Sequence, residues 1–258
     1  RLVDRGVREF NVIAQDLSSY GLDLPGKQQR LPELIDRLAG IDGVDWLRLH
    51  YAYPAQFPME IMDVMASHTN ICNYLDIALQ HISDPVLTAM RRHISADQTR
   101  NLIAEMRRRV PELHLRTTLM VGFPGEGEKE FQELLDFVSE TRFERMGAFA
   151  YCEEDDTWAA KHLPDTIAPE VKQERLDRLM ALQERISSDI QDAKIGKTMR
   201  VIIDREEADY YVGRTEWDSP EVDPEVLVEK KDTLQIGQFY HVKIDSAMPF
   251  ELTGHVTD

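Results

Sequence analysis

The chain has 258 residues, of which 42% are hydrophobic and 30% charged, enough for one large domain and a small second one. Its net charge of −17 excludes a sequence-blind grip on nucleic acid, which needs a basic surface. No apolar run approaches a membrane span, Arg1–Phe10 carries no signal-peptide pattern, and two distant cysteines, Cys72 and Cys152, fit a reducing cytosol rather than a disulfide framework or a metal site.

Arg1–Gly6 reads as the tail of a helix, so residues are expected upstream of Arg1. Arg8–Ala14 reads as a strand with Gln15 and Asp16 at its carboxyl end, followed by a Ser-Ser-Tyr-Gly loop. A helix begun near Pro32 covers Leu31–Leu38. Further strands are expected at 46–51, 74–79, 115–122 and 146–151, and helices at 58–65, 85–92, 96–109 and 128–140. Strands alternating with helices at this spacing make βαβ units and a parallel sheet, here part of a βα barrel whose carboxyl-end loops would build a site. The stretch 155–166 is acidic and irregular, and 170–194 reads as one long helix with an apolar stripe. From Ile195 five short strands, near 199–203, 210–214, 226–228, 239–244 and 252–256, give a small antiparallel barrel. The expected division is 1–167 for the partial barrel, 168–193 for a linking helix and 194–258 for the β-barrel.

The chain is organised around Leu115–Glu126, LRTTLMVGFPGE, a buried strand ending in a Gly-Pro-Gly turn that runs into a helix. Glu126, Glu128 and Glu130 are expected in that helix's first turns, where carboxylates complement its dipole. Such a junction leaves backbone N–H groups open where α/β folds place ligands. Arg116 sits in an apolar strand and must have a partner, either a ligand carboxylate or Asp76. Thr118 points to the same side as Arg116. The runs Arg91–His93 and Arg107–Arg109 read as solvated faces, and Glu153–Asp156 as a solvated loop.

Four segments, REFNVIAQDLSSYG (8–21), HYAYP (50–54), YLDIALQHISDPVLTAMRR (74–92) and LRTTLMVGFPGE (115–126), resemble the methylthiotransferase branch of radical S-adenosylmethionine enzymes. The carboxy-terminal barrel is similar to a TRAM domain. The third of these segments, which resembles the family's fourth barrel strand and has Gln80-His81 where transfer-RNA members carry Gln-Ser-Gly-Ser, resembles the subgroup that methylthiolates the β-carbon of an aspartate in ribosomal protein S-twelve. Residues 194–258 hold 8 Lys/Arg and 14 Asp/Glu, net −6, which suits a basic ribosomal protein better than RNA.

The resemblance implies S-adenosylmethionine and two [4Fe-4S] clusters as cofactors. It implies a cofactor pocket from Gln15, Asp16, Gln80, Arg116, Thr118, Gly122, Phe123 and Pro124: Gln15 and Asp16 for the ammonium or ribose hydroxyls, Gln80 for ribose, and Gly122–Gly125 for a close approach to adenine. For Gln15–Asp16 the alternative is a loop with a turn-capping Asp, and for Gln80 a surface amide. The family's Cys-x-x-x-Cys-x-x-Cys loop is absent, and Cys72 and Cys152 cannot replace it. The expectation is therefore a fragment, inert alone and prone to self-association, whose clustered cysteines precede Arg1. No side chain is expected to act as general base or nucleophile. The other readings are a transfer-RNA methylthiotransferase and a non-catalytic module that binds a ribosomal protein.

Overall fold

The computed structural model describes residues 1–231 and 233–257. A single 3-10 turn at Val3–Arg5, rather than the tail of an α-helix, leads into β1 (Glu9–Ile13). The larger unit then runs α1 (Leu31–Ala39), β2 (Trp46–Ala52), α2 (Glu60–Ser67), β3 (Ile71–Ile77), α3 (Asp84–Ala89), α4 (Ala96–Arg109), β4 (His114–Val121), α5 (Glu128–Thr141), β5 (Arg145–Ala150), α6 (Trp158–His162) and α7 (Pro169–Asp192). Strands β1 to β5 pair in sequence order and all in parallel, so each βα unit crosses over to the next position of one open, curved wall.

Alternation along each strand sorts side chains between two faces. Leu47 and Leu49, Leu75 and Ile77, and Leu115, Leu119 and Val121 point outward into a core with Ile35, Met62, Phe131, Phe137 and Ile186 of the helices. Full burial of a side chain such as Phe131 contributes about 2–3 kcal/mol. Helix α7, expected only to link the two units, puts Leu179 and Ile186 into this same core. The concave face carries polar and aromatic residues instead: Glu9, Trp46, Arg48, His50, Cys72, Tyr74, Asp76, Arg116, Thr118 and Arg145.

Strands β6 (Thr198–Glu206), β7 (Tyr210–Thr215), β8 (Glu225–Glu229), β9 (Phe239–Met248) and β10 (Glu251–Val256) close into a barrel in the order β10-β8-β7-β6-β9. All its pairings are antiparallel except β8 with β10, which is parallel. Its interior is packed by Val201, Ile203, Val226, Val228, Val242 and Ile244.

The small barrel is docked against the lower, amino-terminal half of the concave face. Trp46 meets Phe239 edge-on at 4.7 Å, and His114 stacks on Trp217 at 4.4 Å. Arg214 joins Glu9 (2.7 Å) to Asp204 (2.6 Å). Arg48, fully buried, donates to the carbonyls of Thr215 and Glu216 and to Glu9. Arg145 Nε lies 3.1 Å from Asp218, Tyr74 Oη donates to Asp223 at 2.9 Å, and Ser219 Oγ is 3.2 Å from His50 Nε2. Burial alone would push the Asp218 carboxyl up, but the charges of Arg145 and Lys194 outweigh it and hold the group at about 2.

Candidate functional site

The turn between β4 and α5 is held by one carboxylate. Gly122 has φ +73°, a conformation that favours glycine, and a Cβ there would lie 2.4 Å from Lys172 Cγ on α7. The Gly122 N–H donates to both oxygens of Glu126 at 3.0 Å. Glu126 is buried and also accepts from Arg175 Nη1 at 2.8 Å. His81 lies 3.2 Å from the same carboxylate through Nε2, while its Nδ1 accepts from the Ser83 N–H at 3.0 Å. With Nδ1 an acceptor, the His81 proton sits on Nε2 and points at Glu126. Glu126 therefore does not serve the helix dipole from a solvated first turn. It precedes α5 and shapes the strand tip, and Glu130 caps the helix through the Gly127 N–H at 3.0 Å.

Above this turn lies a cavity of about 270 Å³, lined by Gln80, Ala89–Arg92, Met120, Phe123, Tyr151, Trp158 and Ala159. Gln80 has φ +71° and is clamped to β4, its N–H donating to the Thr118 carbonyl at 2.9 Å and its carbonyl accepting from Met120 at 2.8 Å. A non-glycine residue in this region stores strain and is a common mark of functional sites. Phe123 meets Tyr151 edge-on at 5.0 Å, and Arg91 lies 3.9 Å over the Trp158 ring. Arg92 lies 4.2 Å over Tyr53 and donates to the Ala78 carbonyl. Burial pulls the Arg92 guanidinium down, against the opposing pull of Tyr53 and Asp16. Two buried polar atoms of the cavity wall, Arg92 Nε and Tyr151 Oη, have no hydrogen-bond partner among the described residues.

Tyr53 also lines a second cavity of about 230 Å³ with Asp16, Ser18, Ser19, Gln29, Gln56 and His93. Gln15 is exposed at the end of β1. The Asp16 carboxylate caps the turn that follows, accepting from the Ser18 N–H and the Ser19 hydroxyl, both at 2.8 Å. Gln80, Gly122, Phe123 and Pro124 are thus gathered at the tips of β3 and β4, with Gln15 and Asp16 across the neighbouring cavity. Thr118 sits one step below on the concave face. Arg116 lies apart, six strand residues below Gly122, or about 20 Å of β-strand. It contacts Asp76 at 3.5 Å, as one of the two sequence alternatives has it, and also Asp223 of the small barrel at 3.4 Å.

Sequence reasoning missed Met90, Arg92 and Trp158 as cavity walls and Arg175 as the partner of Glu126. Arg91–Arg92 read as part of a solvated face because nothing local shows that one of the pair folds back onto a tyrosine 39 positions earlier.

Aromatic and thioether walls with unpartnered donors suit a purine nucleoside, which offers a flat ring and several acceptors. An iron–sulfur cluster has no such fit. No group of three or more His, Cys, Asp or Glu side chains able to hold a metal exists among the described residues. Cys72 is buried on the concave face, and burial pushes its thiol up to about 12, while Cys152 is exposed at the tip of β5.

Residues 3–138 match the model of the radical SAM superfamily, and residues 195–257 match the TRAM domain. The chain is 60% identical over 97% of its length to the ribosomal protein uS12 methylthiotransferase RimO of Phocaeicola vulgatus, 57% identical over 99% to that of Parabacteroides distasonis, and 48% identical over 98% to that of Christiangramia forsetii. It spans 58%, 59% and 56% of those relatives, less than two thirds of their length. Among solved structures, coproporphyrinogen III oxidase (HemN) of Escherichia coli, a radical SAM enzyme, aligns with 63% of this chain and 38% of its own at a TM-score of 0.50 and 17% identity, a likeness of fold. The match over residues 3–138, more than half of the chain, takes in the first four parallel strands and the glycine turn at the β4 tip: the chain belongs to the radical SAM superfamily and carries a TRAM domain after its sheet.

Proposed function

We propose that this chain is the sheet and TRAM portion of a radical SAM methylthiotransferase that modifies the β-carbon of an aspartate in ribosomal protein uS12. The observation that carries the reading is the cavity at the tips of β3, β4 and β5, whose wall holds two buried polar atoms with nothing to bind, Arg92 Nε and Tyr151 Oη. The names borne by relatives at 48–60% identity supply the reaction and the substrate.

In this reading Gln80, Gly122, Phe123 and Pro124 hold the adenosyl part of S-adenosylmethionine. Phe123, Met120 and Trp158 enclose the ring, the Gly122–Pro124 turn sets Phe123 into the wall, and the Gln80 amide and the Tyr151 hydroxyl offer hydrogen bonds. Gln15 faces the amino-acid end, beside Asp16, whose two carboxylate oxygens both cap the following turn, and Thr118 lines the way down. When bound, S-adenosylmethionine would supply the radical and the methyl group. Cys72 and Cys152 provide no place for a cluster, so two clusters in the working enzyme would depend on ligands other than these residues, and this chain by itself is expected to be inert. The acidic small barrel, net −6, suits a basic ribosomal protein, and the cytosol is the compartment the reading implies. The TRAM charge also favours uS12 over transfer RNA as the partner.

The test is anaerobic turnover. Enzyme from the full reading frame, reconstituted with iron and sulfide, is given S-adenosylmethionine and either uS12 or transfer RNA, and products are read by mass spectrometry. A methylthio mass gain on one aspartate of uS12 is expected. A gain on transfer RNA alone, or on neither, would overturn the reading.

A further inference from the structure

The amino-terminal end of the sheet, opposite the strand tips, carries a groove of about 400 Å³. It lies where α2 runs into β3 and α4 runs into β4, and Glu216 of the docked small-barrel loop completes its lining. Met65, Ile71 and Val110 are buried apolar walls, and Pro111 is exposed at the groove. The groove belongs to both units, since the sheet alone would lack Glu216.

Its charged residues are unequally satisfied. Arg109 is spent, with Nη1 2.8 Å from Asp63 and Nε 2.7 Å from Glu105, and His68 lies 2.8 Å from Asp36. The carboxylates of Glu112 and Glu216 form no ion pair among the described residues. Glu216 accepts one hydrogen bond, from the Asn73 N–H at 3.1 Å, and the Asn73 side-chain amide, which also lines the groove, has no partner among the described residues. Other acidic groups at the contact between the units are matched, Glu9 with Arg214 and Asp218 with Arg145. Burial, the largest influence, pushes the Glu216 carboxyl up, helped by the charge of Glu112 and opposed by the Asn73 N–H, Arg48 and Arg200. A half-buried carboxylate without a cation, beside an apolar slot, lacks its counterpart.

We propose that this groove is a docking site for one arginine or lysine side chain of a basic polypeptide partner. Its aliphatic stem lies along Met65, Ile71, Val110 and Pro111, and its charged head meets Glu112, Glu216 and the Asn73 amide oxygen. The inference rests on the methylthiotransferase reading, which makes that partner a basic ribosomal protein. It narrows the attraction between two oppositely charged proteins to one place. The phosphates of a nucleic acid would meet two carboxylates here and be repelled. About 25 Å of β-strand separates the groove from the adenosyl cavity, so the contact anchors the body of the partner and not the aspartate that reacts. A partner held at this base presents its reactive loop to the strand tips at a raised effective concentration.

The test uses the reconstituted full-length enzyme with uS12. Glu216→Gln keeps an oxygen for the Asn73 N–H and removes the charge, so its unfolding midpoint should be no lower than that of wild type. Its KM for uS12 should rise about tenfold, the size of one charge-assisted contact, while kcat and S-adenosylhomocysteine affinity stay within about twofold. Added salt should raise KM more steeply for wild type than for Glu216→Gln, which a merely structural role would not produce. A second measurement needs no variant: in wild-type enzyme with labelled methionine methyls, the Met65 signal should shift on addition of uS12 and stay in place on addition of S-adenosylhomocysteine. An unchanged KM in Glu216→Gln, or a Met65 signal that does not move at saturating uS12, would overturn the proposal and leave the methylthiotransferase reading intact. Failure of uS12 to bind or to be modified at all would instead count against both.

Discussion

Glu126 is the residue on which the strand tip depends. It satisfies Gly122 N–H, Arg175 and His81 in a buried setting, so Glu126→Ala leaves a buried guanidinium without its counter-charge. That change is expected to cost about 3–5 kcal/mol in chemical denaturation. Gly122→Ala meets both the positive φ and Lys172, and is expected to cost about 1–3 kcal/mol by the same measurement. Gln80 has the opposite balance. Its φ of +71° is strained for any side chain, so Gln80→Gly should leave stability unchanged or raise it by up to about 1 kcal/mol. The same change should weaken S-adenosylhomocysteine binding in calorimetry. A Gln80→Gly variant that is less stable yet binds equally well would show that the side chain serves packing alone.

At the scale of elements, much was legible from periodicity. All ten strands and the major helices lie within a few residues of the sequence expectation, because alternating apolar runs and Gly/Pro punctuation are local signals. Strand β3 starts at Ile71 rather than Tyr74, since Cys72 and Asn73 lack a strand signature and gain their place from β2 and the small barrel. The gathering of Gln80, Gly122, Phe123 and Pro124 was likewise legible, as all four end adjacent parallel strands. The partners of Arg116 and Glu126 were only partly so, because Asp223 and Arg175 lie 107 and 49 positions away and no spacing rule links them.

The same long-range contacts make the docked loop pH-sensitive. The folded pKa of Asp218, about 2, lies below that of the unfolded chain, so its contribution of about 2 kcal/mol is present above pH 4 and is lost as pH falls through 2. Asp218→Asn is expected to remove that part of the acid transition, as followed by Trp217 fluorescence. An unchanged transition would mean that the Arg145 pair is not what holds the loop.

For the whole molecule, the two units are expected to behave as one. A chain ending near residue 194 would expose Trp46, Tyr74 and the buried Arg48 and Arg145, and is expected to lose cooperative unfolding in calorimetry rather than to survive as an independent sheet domain. The outer edge of β1 pairs with no strand among the described residues, and beside it lies an apolar groove of about 490 Å³ walled by Leu2, Val3, Phe10, Val12, Leu38 and Ile41. An open strand edge next to exposed apolar surface favours association, so the chain should elute progressively earlier with concentration in size-exclusion chromatography. The central claim is that the carboxyl tips of β3, β4 and β5 hold an adenosyl group, and methyl NMR of the reconstituted enzyme with methionine methyls labelled tests it most directly. On addition of S-adenosylhomocysteine the signals of Met90 and Met120, which wall the cavity, are expected to shift while those of Met199 and Met248 in the small barrel stay in place. Shifts confined to the small-barrel methionines, or none at saturating ligand, would contradict it.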